Sequence, residues 1–231
     1  MLTEHIGIVA CSAEGAALCY RTICAEGPAV LGAHAHPEVT MHTYPLSEYM
    51  RFIYADDGSG VADLMVSSVK KLATAGATFA ICPDNTIHQA FDQVVQRSPL
   101  PWLHIAGEVA KVARGNGYRR LGVLGTKYLM EGPVYPGQLD AVGIDYVTPP
   151  VEQRNRINEI IMDELVYGKF EAQSRTCLSR VIAELADQGC DAVVLGCTEI
   201  PLLVAQTDSS LPILDSTRLL ARAALSRATA T

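Results

Sequence analysis

The 231-residue sequence has no CxxC pair, no apolar run near the roughly 18 residues that cross a bilayer, and no glycine-rich GxGxxG or GxxxxGKS/T loop. Each absence closes off a class. The seven cysteines, Cys11, Cys19, Cys24, Cys82, Cys177, Cys190 and Cys197, are odd in number and lack paired spacing, which argues against a disulfide framework and against a tetrahedral zinc site. The opening MLTEHIGIVA has no basic stretch before a cleavable apolar core, so a cytoplasmic location is expected. Positive charge is also short, with 18 Lys and Arg against 25 Asp and Glu, a net charge of −7. Nucleic acid and anionic membrane surfaces therefore meet no general attraction, and the expected partner is a small molecule held at a local site.

Hydrophobic residues make up 49% and charged residues 19%, the balance of a compact α/β domain or of two lobes of ordinary size. The most informative stretch is Asp191 to Leu203, DAVVLGCTEIPLL. An apolar run ending in Gly196, Cys197, Thr198 and Glu199 reads as a buried strand that delivers one thiol at its carboxyl end. Upstream, KLATAGATFAICPDNTI aligns without a gap on ELADQGCDAVVLGCTEI, which puts Asp84 opposite Cys197. The strand pattern at Ile6 to Val9 likewise returns at Leu121 to Leu124, at nearly the same separation. Two such matches in one order indicate an internal duplication.

The duplication predicts two pseudo-symmetric α/β lobes, each a parallel sheet flanked by helices, with the active site in the cleft between them. Residues 1–102 with 206–231 would form the first lobe and 103–205 the second. Strands are expected at Val39 to Tyr44, Thr78 to Cys82, PLPWLHI, Ile144 to Val147 and Leu211 to Asp215. Helices are expected over LMVSSVKKLATAG, Glu108 to Arg114, Asn158 to Val166, Arg175 to Gln188 and from Ser216 onward. His34, His36 and His42 lie in one loop and strand, but no acidic or cysteine partner has ligand spacing, so no metal site is assigned.

The chain resembles the aspartate/glutamate racemase family of cofactor-independent amino-acid racemases. The likeness rests on IGIVACSAEGAA, HPEVTMHT, DNTIH, LGVLGT with MEGPVY, DELVYGKF, LGCTEIPLL and PILDST. It implies two lobes, a homodimer, no cofactor, and a small carboxylate or amino acid as substrate. It makes Cys197 the catalytic thiol. Asn85, Thr86 and Thr198 match positions that bind the substrate's carboxylate or amino group; Ser12, Thr126 and Glu199, in the adjoining turns, are assigned to the substrate with them.

This sequence departs from the family at four places. Asp84 stands where a first catalytic cysteine is usual, the Gly-Gly-Met-Gly turn is ACSAEG, Leu129 replaces a threonine, and Leu220 replaces a histidine. A carboxylate near pKa 3.9 is a poorer base than a thiol near 8.5, so Asp84 and Cys197 would form an unequal acid–base pair. Asp84 also suits a helix N-cap, and Cys82, two residues earlier, is an alternative thiol whose other reading is core packing. Glu199 also reads as a helix-start residue, and His88 as a packed or solvent-facing ring.

The expected function is a racemase acting on a small, acidic amino acid. A decarboxylase or cis–trans isomerase of a small dicarboxylate using Cys197 alone is the alternative, and a non-catalytic carboxylate-binding protein is a third reading.

Overall fold

Strand β1 (Ile6–Ala10) is buried along its whole length at the centre of the first of two parallel sheets in the computed structural model, which describes residues 3–230. A strand buried on both faces must be covered by helices on each side, which is the layering that the apolar run IGIVA predicts. Ser12 closes the turn after β1 and caps α1 (Ala13–Glu26), its Oγ accepting the Gly15 amide at 3.2 Å. The short α2 (Pro28–Leu31) leads to β2 (Val39–Thr43), which pairs with β1 with Ile6 opposite Val39.

Helix α3 (Leu46–Tyr54) is absent from the expected elements, although Leu46, Tyr49, Met50 and Ile53 recur at helical spacing; Tyr49 and Ile53 are its buried residues. Helix α4 (Gly58–Thr74) starts earlier than the expected Leu64. Asp57 explains the difference, because its Oδ1 accepts the Gly60 amide at 2.9 Å and lets a run of small residues begin the helix. The stop at Gly76 is as expected, with φ at +97°, a conformation that favours glycine.

Strand β3 (Phe79–Ile81) takes the other side of β1, and a 3-10 turn over Thr86–Ala90 runs into α5 (Phe91–Arg97). PLPWLHI does not become a full strand. It makes a single bridge, in which the Ala80 amide donates to the Pro101 carbonyl and the Leu103 amide donates to the Ala80 carbonyl. The prolines at 99 and 101 have no N–H with which to lengthen the ladder. Helix α6 (Ile105–Gly115) then carries the chain from the first unit, left at Ile105 and rejoined at Thr217, into the second, Ala106–Ser216.

The second unit is built on β4 (Arg120–Leu124), followed by α7 (Lys127–Met130), α8 (Pro136–Asp140) and β5 (Asp145–Val147). Helix α9 (Val151–Glu159) widens into a π turn and tightens into a 3-10 turn before Gly168, so the helical segment predicted at Asn158 begins seven residues earlier. Helix α10 (Ala172–Asp187), β6 (Ala192–Leu195), α11 (Ile200–Leu203) and β7 (Ile213–Asp215) complete a sheet of order β5-β4-β6-β7, parallel throughout. Helix α12 (Ser216–Thr229) returns to the first unit, where Leu220, Ala221, Ala224 and Ala228 pack with Ile6, Ile8, Phe79 and Ile81.

The registers carry the sequence repeat into three dimensions. Ile6 pairs with Phe79 in one sheet and Leu121 with Ala192 in the other, so spacings of 115 and 113 residues relate the two pairs. Packing repeats with them. A Cβ on Gly7 would come within 3.3 Å of Leu72, and one on Gly122 within 3.3 Å of the Cβ of the equivalent Leu185. In each unit one leucine of the long helix fills the hollow over a central-strand glycine, which ties the helix to the strand whose neighbour ends at the candidate residue.

Candidate active site

In the second unit the site is built at the end of β6. Gly196 lets the chain leave the strand hard against its neighbour: its amide donates to the Leu124 carbonyl at 2.7 Å, and an added Cβ would lie 2.9 Å from that same carbonyl oxygen and 2.5 Å from Leu129 Cδ2. No larger residue fits there without displacing backbone. The next residue, Cys197, is 7% exposed, and its Sγ donates to Glu199 Oε2 at 3.0 Å. The same oxygen accepts the Thr198 hydroxyl at 2.8 Å, and Glu199 itself is 3% exposed. A buried carboxylate needs donors in place of water, and here the two residues before it supply them. Glu199 stands at the N-cap position of α11 but makes no side-chain cap bond, so its carboxylate is turned to the thiol.

In the first unit the equivalent turn follows β3. Asp84 is half-buried, and its Oδ1 accepts the Ile87 amide at 3.1 Å, so the carboxylate does cap the 3-10 turn. Its main-chain carbonyl receives Nδ1 of His88 at 2.6 Å. Asn85 is buried and Thr86 half-buried on the same turn. Cys82 is fully buried; burial first, and then the neighbouring Asp84 carboxylate, push its thiol well above the usual range. A thiol so placed stays protonated and packs.

The small-residue turns hold the remaining assigned residues. Ser12 and Thr126 both lie two residues beyond the end of a central strand, and both act as helix caps, Thr126 Oγ1 accepting the Leu129 amide at 3.2 Å. Two of the departures from the family turn out to be core residues. Leu129 is buried against Gly125 and Gly196, and Leu220 belongs to the apolar cluster around β1. Among the described residues no group of three His, Cys, Asp or Glu side chains is arranged to hold a metal ion.

Two supports escape the sequence reading. Ser216 is fully buried and its Oγ donates to the Leu195 carbonyl at 2.9 Å, which braces β6 two residues before Cys197; the Tyr135 hydroxyl, raised by burial, hydrogen-bonds to that serine. His88, expected to pack or face solvent, is buried with both ring nitrogens engaged. The signals were the PILDST and DNTIH stretches, which carry both residues but not their bonding.

The family described as Asp/Glu/hydantoin racemase matches residues 8–224. The broad specificity amino-acid racemase RacX of Bacillus subtilis is 25% identical over 176 residues, 75% of this chain and 76% of that protein. A candidate Asp/Glu racemase from Yersinia pestis superposes with a TM-score of 0.90 at 33% identity, over 98% of this chain and 100% of the other. An aspartate racemase homologue from Pyrococcus horikoshii gives 0.85 at 26% identity, over 98% and 100%. With its two parallel sheets, its repeated strand-end turns and a match over nearly its whole length, the chain belongs to the Asp/Glu/hydantoin racemase family and is an isomerase.

Proposed function

We propose that this protein interconverts the enantiomers of a small, acidic amino acid without a cofactor, using Cys197 and Asp84 as the two proton-transfer groups. The observation that carries this reading is the buried Cys197–Glu199 contact at the end of β6, with Asp84 at the equivalent end of β3 in the repeat. Inversion at Cα requires a proton to leave one face and another to arrive on the opposite face. In one direction the thiolate of Cys197 takes the Cα proton, the electron pair stays on the carbanion, and the carboxylic acid of Asp84 returns a proton to the other face. In the reverse direction the roles exchange. Thiol and carboxylate are chemically unequal, so the resting protonation states that start the two directions differ.

Glu199 holds the Cys197 proton in the resting arrangement and is the group that receives it when the thiol is to act as base. Asn85, Thr86 and Thr198, on the same two turns, bind the substrate's carboxylate or amino group, with Ser12 and Thr126 at the adjoining helix starts; the Thr198 hydroxyl, whose proton goes to Glu199, serves as an acceptor for the amino group. Donors at these places stabilise charge that spreads onto the carboxylate as the proton leaves. The name of the Bacillus relative supports an amino acid as the substrate class.

The cap bond from Ile87 to Asp84 favours a second reading, in which Asp84 is structural and Cys197 alone serves a decarboxylase or cis–trans isomerase of a small dicarboxylate. One experiment separates them. Single enantiomers of aspartate, glutamate and other small amino acids are incubated in deuterated water, beside a substituted malonate and maleate. Deuterium at Cα with inversion, lost in Cys197→Ala, is the expected result. Carbon dioxide release or a cis-to-trans change, with no amino acid exchanging, would replace the racemase reading with the second.

A further inference from the structure

His88 is 3% exposed, yet it is no inert packing ring, because each of its nitrogens has a defined main-chain partner. Nδ1 lies 2.6 Å from the Asp84 carbonyl oxygen, and Nε2 lies 3.4 Å from the Ile105 amide nitrogen. A carbonyl only accepts and an amide N–H only donates. The one neutral tautomer with its proton on Nδ1 therefore satisfies both partners at once. The ring is held in that orientation by Phe91, stacked at 5.1 Å and 11°, and by the edge of His104 at 4.8 Å.

The two bonded partners are not arbitrary. Asp84 is gripped at its carbonyl by His88 and at its carboxylate by the Ile87 amide, so the turn is fixed from both ends. Ile105 is the first residue of α6 and the point where the chain leaves the first unit, and the amide groups of a first helical turn have no acceptor within their own helix. One imidazole thus supplies a missing acceptor to the helix start and ties it to the Asp84 turn.

We infer that His88 is a positioning residue that aims the Asp84 carboxylate by donating from Nδ1 to the Asp84 carbonyl, the Ile105 amide at Nε2 serving to set the tautomer, without itself touching substrate. The catalytic consequence rests on the racemase reading above; the positioning itself does not. A ring that merely packed would be indifferent to which nitrogen position is kept.

The test exploits that difference with two amides. In His88→Asn the amide nitrogen stands near the place of Nδ1 and still donates to Asp84; in His88→Gln the amide oxygen reaches the place of Nε2 and still accepts from Ile105. Backbone hydrogen exchange is followed at Ile87, with Ile8 and Val193 reporting the fold in each variant and Leu129, capped by Thr126, as the unaffected comparison. Expected is an Ile87 exchange rate raised about tenfold in His88→Gln, the loss of roughly one hydrogen bond, and nearly unchanged in His88→Asn. In turnover, His88→Gln is expected to lose about a hundredfold in kcat with KM little moved, and His88→Asn to keep most of it. Equal effects of the two variants on Ile87, or no effect of either, would overturn the inference. A wild-type protein without turnover would remove the racemase reading, while Ile87 exchange would still decide the role of His88.

Discussion

The thiol of Cys197 donates to the Glu199 carboxylate across 3.0 Å, and the hydroxyl of Thr198 reaches the same oxygen at 2.8 Å. Three consecutive residues thus form one buried unit in which the thiol proton already has an acceptor. Replacing the carboxylate by an amide of the same shape removes the charge that accepts it. Glu199→Gln is therefore expected to lower kcat by about 10²–10⁴-fold while thermal unfolding stays close to wild type, since volume and packing are kept. The check is turnover and unfolding measured on one preparation; a variant with wild-type kcat would remove Glu199 from the proton path.

Gly196 is the reason this unit sits where it does. An alanine there meets Leu129 Cδ2 at 2.5 Å and the Leu124 carbonyl oxygen at 2.9 Å, one a movable side-chain end and the other backbone. Gly196→Ala is expected to destabilise by about 1–3 kcal/mol and to cost activity as the strand end shifts. Leu129→Ala relieves the first contact only and leaves a cavity of its own, so in denaturant unfolding the double variant should lose less than the sum of the two single losses.

The fold was largely legible because it is repeated and its strands are buried. An apolar run such as IGIVA or AVVL between small-residue turns has few other readings, and the gapless match between Lys71–Ile87 and Glu184–Ile200 returns as equal pairing in the two sheets. What stayed illegible depends on local capping and on side-chain direction rather than on distance along the chain. Helix α3 does carry helical spacing at Leu46, Tyr49, Met50 and Ile53, and α4 begins early because Asp57 caps the Gly60 amide three residues on. The equivalent places of Cys197 and Asp84 at two strand ends were readable from the repeat, whereas the turn of Glu199 toward the thiol and the double bonding of His88 are matters of side-chain direction, which a linear pattern does not encode.

Acid should weaken the first unit through its two neighbouring imidazoles. Burial, and then the field of His104, hold His88 well below its ordinary value, and burial holds His104 down to about 4 against an opposing pull from Asp92. Both folded values lie below the unfolded value near 6.5, so the unfolded chain binds more protons as pH falls through that value. The stabilising difference is complete above about pH 6.5 and is lost on acidification, by up to about 3 kcal/mol for His104 between pH 6.5 and 4. Urea unfolding at pH 7, 5.5 and 4.5 reads the slope, and His104→Asn should flatten it.

Cys82 invites confusion with a catalytic thiol because it precedes Asp84 by two residues. Its burial and its raised thiol argue for packing. Cys82→Ala is expected to lose about 1–2 kcal/mol of stability through the small cavity it leaves, and to keep kcat within a few fold. The pair of variants is informative together, because Cys197→Ala leaves a buried cavity of the same kind and should cost a similar amount of stability, yet abolish turnover.

Asp84→Asn tests the proposed pairing of Asp84 with Cys197. The amide oxygen still accepts the Ile87 amide, so the turn is kept, but the side chain no longer supplies or takes a proton at Cα. On the proposed mechanism Cys197 remains able to remove a proton from the face it meets and to return one to that same face. The variant is therefore expected to exchange Cα hydrogen for deuterium in one enantiomer with retention of configuration, while leaving the other enantiomer unlabelled. Inversion should fall by about 10²–10⁴-fold. It should fall equally in kcat/KM for both directions, because the equilibrium constant between enantiomers is fixed by symmetry, so that steady-state rates alone would not reveal which group failed. Proton NMR of the Cα signal together with optical rotation distinguishes labelling from inversion in one sample. Wild-type inversion in the variant would make Asp84 a cap and nothing more; loss of exchange in both enantiomers would mean that Cys197 does not deprotonate without it.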